Sequence, residues 1–160
     1  MKYTKIKDVK TPTGDRQGDA GIDFYIPNDW NNGKPMKLFI GQQVNIPSGI
    51  KVKVPQGMML KFDNKSGVSL KKGLVVGATI VDSSYRGEIH LNLFKVVRGK
   101  EDKRTWYGKS YTTLTPGEKI VQGVLVKIST EAITSISNKS YDQGPATKRG
   151  QNGFGSTGTK

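Results

Sequence analysis

The sequence predicts an all-β sandwich or barrel, because short runs rich in β-branched and aromatic residues recur between glycine- and proline-containing turns. The 20 glycines and 7 prolines favour turns over long helices, and only residues 66–72 have the composition of a helical turn or two. The predicted strands are residues 49–54, 58–62, 73–81, 88–97 and 120–128.

Two of these strands carry alternating apolar and polar residues, which places one side of each strand in the core. In the strand at 49–54 the isoleucine and the valines alternate with lysines, and in the strand at 88–97 Ile89, Leu91 and Leu93 alternate with polar residues. Turns between strands are predicted at Pro47-Ser48-Gly49, Pro55-Gln56-Gly57 and Pro116-Gly117.

Two regions depart from the strand pattern. Residues 95–109 combine a run of charges with Trp106 and Tyr107, so we expect an exposed loop or an extended hairpin there. Residues 138–160 are polar and rich in glycine, and such a segment cannot bury itself. We therefore predict an all-β domain over residues 1–137 and a mobile C-terminal arm over 138–160.

Length and charge narrow the class of protein. A chain of 160 residues forms one domain of ordinary size. Its 26 Lys and Arg residues against 13 Asp and Glu residues give a net charge of +13, so the protein attracts polyanions such as nucleotides, nucleic acid or anionic lipid.

The absence of cysteine excludes disulfides, thiolate metal sites and a cysteine nucleophile. His90 is the only histidine, so the chain alone cannot build a tetrahedral zinc site, and any metal is expected to be a hard ion such as Mg²⁺. Because no stretch approaches the roughly 18 apolar residues of a spanning helix, we expect a soluble protein of the cytoplasm with no membrane partner.

Five stretches combine residue types suited to nucleotide chemistry: residues 20–24, 64–73, 76–88, 117–122 and 149–158. In the first, Asp23 either caps a turn or holds a metal-bound water. The second offers phosphate a hydroxyl and backbone N–H groups, or is a plain loop. The third is a strand, a tight turn and a second strand with an acid near the turn, and the fourth places the amide of Gln122 on a strand. The fifth is either a nucleotide lid or a disordered glycine-rich tail.

In this order and at these spacings, the five stretches resemble the five motifs of the trimeric dUTPase family, over about residues 19–158. The resemblance implies a jelly-roll-like β-barrel that forms a homotrimer, in which each of three active sites is built from all three chains. It also implies a dUTP pyrophosphatase that hydrolyses dUTP to dUMP and pyrophosphate, which keeps uracil out of DNA and supplies dUMP for dTMP synthesis.

Roles for individual residues follow from the same resemblance. Asp82 matches the catalytic aspartate, the general base that activates a water to attack the α-phosphorus. Asp23 matches the residue that holds Mg²⁺ through water, and the metal would stabilise the pyrophosphate leaving group. Tyr85 matches the aromatic residue that packs against the deoxyribose and leaves no space for a 2′-hydroxyl.

The remaining site residues are assigned to the base, the phosphates and the lid. Backbone groups near Val76, Gly77, Ile80 and His90 would pair with the edge of uracil, so the side chain of His90 is not expected to take part. The resemblance assigns Lys65, Ser66, Gly67 and Gln122 to the phosphates. In the arm, it assigns Arg149 to the γ-phosphate and Phe154 to the base. Gly155, Ser156 and Thr157 are also assigned to substrate binding, and the hydroxyls of Ser156 and Thr157 offer donors for phosphate oxygens.

The chain departs from the family pattern at several positions. Asn64-Lys65 replaces the usual Pro-Arg, and Lys119 stands where arginine is common, so two forked donors become point charges. Thr79 replaces a glycine, and Ser84 replaces a second acid close to Asp82. The loop at 95–109 is longer than in typical members.

Two other functions compete with dUTP hydrolysis. The dCTP deaminases share the fold but carry a glutamate where this chain has Asn92, which cannot act as that base, so deamination is disfavoured. The basic residues and aromatic rings of 95–109 suit a non-catalytic or secondary role in binding nucleic acid or a regulatory protein.

Overall fold

A computed structural model describes residues 1–14, 17–129, 131–143 and 145. The chain divides into two units, Met1–Ser129 and Thr130–Lys160. In the part of the chain that is described, no helix has the length and hydropathy needed to cross a membrane.

The described residues form eleven strands and two α-helices, with one 3-10 turn at Trp30–Gly33. The strands are β1 Lys2–Lys5, β2 Ile22–Tyr25, β3 Met36–Phe39, β4 Gln43–Lys53, β5 Met58–Asp63, β6 Leu74–Val76, β7 Ile80–Val81, β8 Glu88–Lys95, β9 Lys103–Arg104, β10 Ser110–Leu114 and β11 Lys119–Lys127. The helices are α1 Ser66–Lys72 and, in the second unit, α2 Asn138–Asp142. The all-β prediction and the single predicted helix, α1, are confirmed, while α2 and the 3-10 turn were not predicted.

Three antiparallel sheets build the first unit. Their strand orders are β1-β4-β8-β6, β2-β11-β5-β7 and β3-β10-β9. Three of the four motif stretches that precede the arm contribute strands to the two four-stranded sheets, and the remaining one, residues 64–73, contains α1. Strands β2 and β7 form the opposite edges of one of these sheets, and this arrangement positions the candidate site.

The core lies where the alternating strands predicted it. Ile50 and Val52 are buried along β4 and Val54 directly after it, and Ile89, Leu91 and Leu93 are buried along β8. From the other four-stranded sheet, Phe24 and Phe62 meet edge to face with ring centroids 4.9 Å apart. This cluster supplies the apolar burial that stabilises the fold.

The turn predicted at Pro47-Ser48-Gly49 is wrong, because these residues lie inside β4. The register with β8 shifts between Pro47 and Lys51, so the segment is a bulge that bends the strand without reversing it. Gly49 has a φ of 72°, and a Cβ there would lie 2.8 Å from Cβ of Lys7, so only glycine fits without strain. Its N–H donates to Glu88 Oε1 over 2.8 Å.

The strand predicted over residues 73–81 is divided into β6 and β7. Strand β6 pairs with β8, and β7 leaves that sheet to pair with β5. The chain passes at Gly77 so close to β8 that an added Cβ would lie 2.1 Å from Oδ1 of Asn92. This divergence of β7 from β8 opens a cavity described below.

Residues 95–109 form the predicted hairpin, with β9 paired to β10. The expectation that the whole segment is exposed is wrong at its base. Lys95 and Asp102 form an ion pair with both side chains 0% exposed, and Ser110 Oγ donates to Asp102 Oδ2 over 2.8 Å. The pair fixes the base of the hairpin to the barrel because each charge needs the other once both are removed from water.

Candidate active site

The first cavity, of about 360 Å³, gathers residues from three of the motif stretches. Strand β2, the start of α1 and strand β11 contribute to its wall. The lining residues are Asp19, Ala20, Gly21, Asp23, Lys65, Gln122 and Val124. The structure therefore brings together Asp23, Lys65 and Gln122, which are far apart in sequence.

Asp23 lies between two lysines in this cavity. Its side chain is 5% exposed, Lys65 Nζ lies 2.9 Å from Oδ1, and Lys119 Nζ lies 2.7 Å from Oδ2. A carboxylate this deeply buried requires neighbouring positive charge or hydrogen-bond donors. The two lysines that replace arginines of the family pattern both meet that requirement.

Hydrogen bonds of Asn64 and Gln122 join the motif stretches 64–73, 76–88 and 117–122 to one another. Gln122 Nε2 donates to the backbone oxygen of Asn64 over 3.0 Å, and Val76 N–H donates to Asn64 Oδ1 over 2.8 Å. Gly21 packs against Gln122, since a Cβ there would lie 2.8 Å from its Oε1. Asn64 thus joins the cavity to the start of the β6–β7 segment.

Asp63, shortly before α1, has a carboxyl group with a lowered pKa. The backbone N–H of Asn64 donates to Asp63 over 2.8 Å and lowers the pKa of that carboxyl, with a smaller contribution from Lys61. Ser66 and Gly67 follow as the first exposed residues of α1, and a Cβ at Gly67 would meet no atom within 4 Å. A ligand therefore has free access to this turn.

The donor set of the first cavity fits a metal carried by a phosphate ligand. Among the described residues, no three His, Cys, Asp or Glu side chains are grouped to hold an ion. Asp19 and Asp23 both line the cavity, and each oxygen of Asp23 has a second lone pair beyond the one facing a lysine. Such a carboxylate can accept a hydrogen bond from metal-bound water without coordinating the ion directly.

The second cavity, of about 210 Å³, lies where β7 diverges from β8. It contains four of the predicted site residues, namely Ile80, Asp82, Tyr85 and His90. The other lining residues are Phe62, Ala78, Val81, Glu88 and Ile89.

Asp82 and Tyr85 are positioned by the turn that follows β7. Tyr85 N–H donates to the backbone oxygen of Asp82 over 3.1 Å, and Tyr85 Oη donates to that of Glu88 over 2.8 Å. A Cβ at Gly87 would lie 2.4 Å from this Oη, so the glycine leaves space for the Tyr85 side chain to reach Glu88. Both side chains are solvent-exposed.

Backbone groups of Val76 and Gly77 are already engaged within the chain. Val76 donates to Asn64, and Gly77 N–H donates to the backbone oxygen of Asn92 over 3.0 Å. The two residues flank the second cavity but do not line it. The side chain of His90 is exposed, and its Nδ1 lies 2.9 Å from Nδ2 of Asn45.

The two cavities lie at opposite edges of one sheet and share no lining residue. Three strand spacings separate β2 from β7, or roughly 14 Å. Val81 pairs with Leu60, whereas Asp23 shares its row with Gln122 and Asp63, which adds roughly 10 Å along the strands. Within one chain, Asp23 and Asp82 are therefore too far apart to contact the same phosphate.

Some predicted site residues lie outside the described part of the chain. They are Arg149, Phe154, Gly155, Ser156 and Thr157 of the predicted arm. In contrast, Gly21 and Asn64 have structural roles at the first cavity that the sequence pattern did not assign. The signal for Gly21 was present, since a glycine beside a buried strand residue marks a close approach.

Comparison with known proteins relates this chain to one protein family. The dUTPase family model matches residues 7–158. The deoxyuridine 5′-triphosphate nucleotidohydrolase of Chlamydia pneumoniae is 34% identical, covering 88% of this chain and 86% of its own. That of Caulobacter vibrioides is 31% identical, covering 94% and 87%.

Solved structures show the same fold at lower identity. A dUTPase of Staphylococcus bacteriophage 80alpha with dUpNHpp superimposes with a TM-score of 0.78 at 22% identity, covering 98% of this chain and 97% of that chain. The dUTPase of phage phi11 of S. aureus, described with a structural Mg(II) ion, has a TM-score of 0.69 at 19% identity and covers 86% and 96%. Because the family model spans nearly the whole sequence, this chain belongs to the dUTPase family.

Proposed function

We propose that this dUTPase hydrolyses dUTP to dUMP and pyrophosphate at sites that combine the first cavity of one chain with the second cavity of another. The observation that carries the proposal is the placement of Asp82 and Tyr85 together in a cavity open to solvent between β7 and β8. The first cavity supplies cations and an amide suited to phosphate.

Asp82 acts as the general base. Its exposed carboxylate accepts a proton from a water, and that water attacks the α-phosphorus as the bond to the bridging oxygen breaks. Pyrophosphate leaves and dUMP remains. The family usually has a second acid at the position of Ser84. In the mechanism we propose, Asp82 is therefore the carboxylate that this turn supplies.

Tyr85 and the diverging strands select the nucleoside. The Tyr85 ring is held by its bond to Glu88 and would pack against the deoxyribose, where a 2′-hydroxyl has no space. Backbone groups of Ala78–Ile80 and of the strand near His90 would bond the uracil edge. Because Val76 and Gly77 N–H are occupied within the chain, we assign them to shaping the cavity rather than to bonding the base.

Lys65, Ser66, Gly67 and Gln122 bind the phosphates, with Mg²⁺ supplied on the triphosphate. Asp23 would hold that ion through water, and the ion would neutralise charge that develops on the pyrophosphate. Lys119 has a positioning role, since it holds Oδ2 of Asp23. Arg149, Phe154, Gly155, Ser156 and Thr157 would close over the nucleotide and exclude water.

We also propose that the chain forms a homotrimer, and the distance between the cavities supports sharing of sites between chains. One chain cannot bring Asp23 and Asp82 to one triphosphate, so a second chain must supply one of the two cavities, and the arm would come from a third. Sedimentation equilibrium should give three times the 17.5 kDa chain mass. Mixed oligomers of Asp23→Asn and Asp82→Asn chains should recover activity that neither variant has alone, and no recovery would contradict shared sites.

The reaction is tested with purified protein and Mg²⁺ by supplying dUTP, dCTP, dTTP and UTP separately and resolving the products. The expected result is dUMP and pyrophosphate from dUTP alone, with activity lost on chelation of the metal and restored by its return. Ammonia release from dCTP would indicate a deaminase, and turnover of no substrate would overturn the proposal.

We also propose that the reaction takes place in the cytoplasm, since a chain without cysteine suits a reducing compartment.

A further inference from the structure

The hairpin at residues 96–109 has features that dUTP hydrolysis does not use, and we propose that it binds single-stranded nucleic acid. We call these residues the basic hairpin. It begins after Lys95 at the end of β8, includes β9, and returns to the barrel at β10. Three observations carry the proposal: its charge, its aromatic rings and the groove beside it.

The charge of the basic hairpin that has no ion-pair partner among the described residues is entirely positive. Its two acids are neutralised by lysines outside it, because Asp102 pairs with buried Lys95 and Glu101 lies 3.1 Å from Lys71 Nζ. Five exposed cations have no ion-pair partner among the described residues: Arg98, Lys100, Lys103, Arg104 and Lys109. Such a cluster attracts a phosphate backbone.

Two aromatic rings project from the end of the basic hairpin. Trp106 is 96% exposed and Tyr107 is 54% exposed, and their rings meet edge to face at 5.4 Å. Bonds across the turn hold them in place, since Thr105 N–H donates to the Lys109 oxygen over 2.9 Å and Lys109 N–H donates to Thr105 Oγ1 over 3.0 Å. Exposed rings on a fixed turn offer unpaired bases a stacking surface without a large cost of ordering.

A groove of about 500 Å³ lies between the basic hairpin and the end of β3. Tyr107 and Lys109 form one side, Phe39 and Ile40 line the other, and Gln42 and Ser110 complete it. An aromatic and apolar wall with a cation at its rim suits a base whose phosphate lies outside. The groove shares no residue with the two cavities of the candidate active site.

These features favour a single strand over other polyanions. Stacking on Trp106 and Tyr107 requires bases that are not already stacked in a duplex. The unpaired cations suit a repeating phosphate backbone, and the rings and groove suit its bases. Since the contacts are to phosphates and to ring faces, binding should be tolerant of sequence.

The test measures anisotropy of a fluorescein-labelled oligothymidine of about 20 nucleotides with the full chain, from about 50 to about 200 mM salt. Wild type should bind, and affinity should fall steeply with salt. Lys103→Gln with Arg104→Gln should flatten the log–log salt slope by about 1.4, at about 0.7 per phosphate contact on a single strand. Trp106→Ala should weaken binding about tenfold through the lost stacking.

The matched control is Lys51→Gln with Lys53→Gln, which removes the same charge from exposed positions of β4. It should change the slope far less than the hairpin pair. All variants should retain dUTP hydrolysis, so failure here is distinguishable from failure of the proposed function. An equal effect of the control, displacement of the oligonucleotide by dUMP, or absence of binding at about 50 mM salt would overturn the proposal. Loss of self-association in Trp106→Ala would also overturn it, by assigning the rings to an interface between copies.

Discussion

Lys95 and Asp102 form an ion pair that connects the last residue of β8 to the base of the basic hairpin with no exposure of either side chain. Lys95 Nζ also donates to the backbone oxygens of Lys72 over 2.6 Å and Val97 over 2.8 Å, so its proton donors are fully used. Asp102 Oδ1, in contrast, has no hydrogen-bond partner among the described residues.

Asp102→Asn should lower the free energy of unfolding by about 3 kcal/mol, because it leaves the Lys95 charge buried without a counter-charge. The measurement is urea unfolding at fixed protein concentration. Glu101→Gln is the control, since its pair with Lys71 is more than half exposed and should contribute less than about 0.5 kcal/mol. Equal effects of the two variants would show that burial of the pair does not matter.

Lys65 and Lys119 should depend on each other through Asp23. Replacing either with Met should cost about 1 kcal/mol, because one lysine remains to balance the carboxylate. Replacing both should cost more than the sum, since Asp23 would then be buried without a cation. Unfolding of the single and double variants, repeated with Asp23→Asn, measures this coupling. The coupling should disappear with Asp23→Asn, and additivity in the wild-type background would argue against a shared contact.

Asp82→Asn should lower kcat by about a thousandfold while leaving nucleotide affinity nearly unchanged, because the amide keeps the shape but cannot accept the proton. Single-turnover kinetics and equilibrium binding of a non-hydrolysable dUTP analogue separate the two effects. Ser84→Ala, on the same turn, is the control and should keep most activity. A parallel loss of affinity in Asp82→Asn would assign the residue a structural role.

His90→Ala should retain kcat/KM within about tenfold, or roughly 1.4 kcal/mol. The exposed imidazole bonds Asn45, whereas we propose that the backbone of this strand pairs with uracil. Steady-state kinetics with dUTP provide the measurement. A loss of several orders of magnitude would mean that the imidazole itself takes part in the reaction.

Local sequence patterns were sufficient to predict the buried side of individual strands and the position of the short helix. The alternation in β4 and β8 predicted the buried side of each strand, and residues 66–72 form α1 as expected. The segment Pro47-Ser48-Gly49 has turn composition, but its N–H bond to Glu88 and its packing against Lys7 convert it into a bulge. Such partners are distant in sequence and cannot be read from the segment itself.

The candidate site shows the same limit. The motif resemblance identified Asp23, Asp82 and Tyr85, but nothing in the spacing shows that two lysines meet Asp23. The charges of the basic hairpin were expected to face solvent, whereas Asp102 faces Lys95 in the interior. Pairing of charges depends on which strands lie side by side, and this is set by the whole topology.

Asp23 and Asp82 lie at opposite edges of one sheet, so a mutation at one of them affects only one of the two cavities of that chain. In the assembly we propose, a chain that lacks Asp82 still gives its neighbour an intact first cavity. A cell that makes both normal and defective chains would therefore distribute the defect over mixed assemblies. Selection would then act on the activity of the mixed assemblies. A chain defective at Asp23 and a chain defective at Asp82, made from separate gene copies, would complement each other.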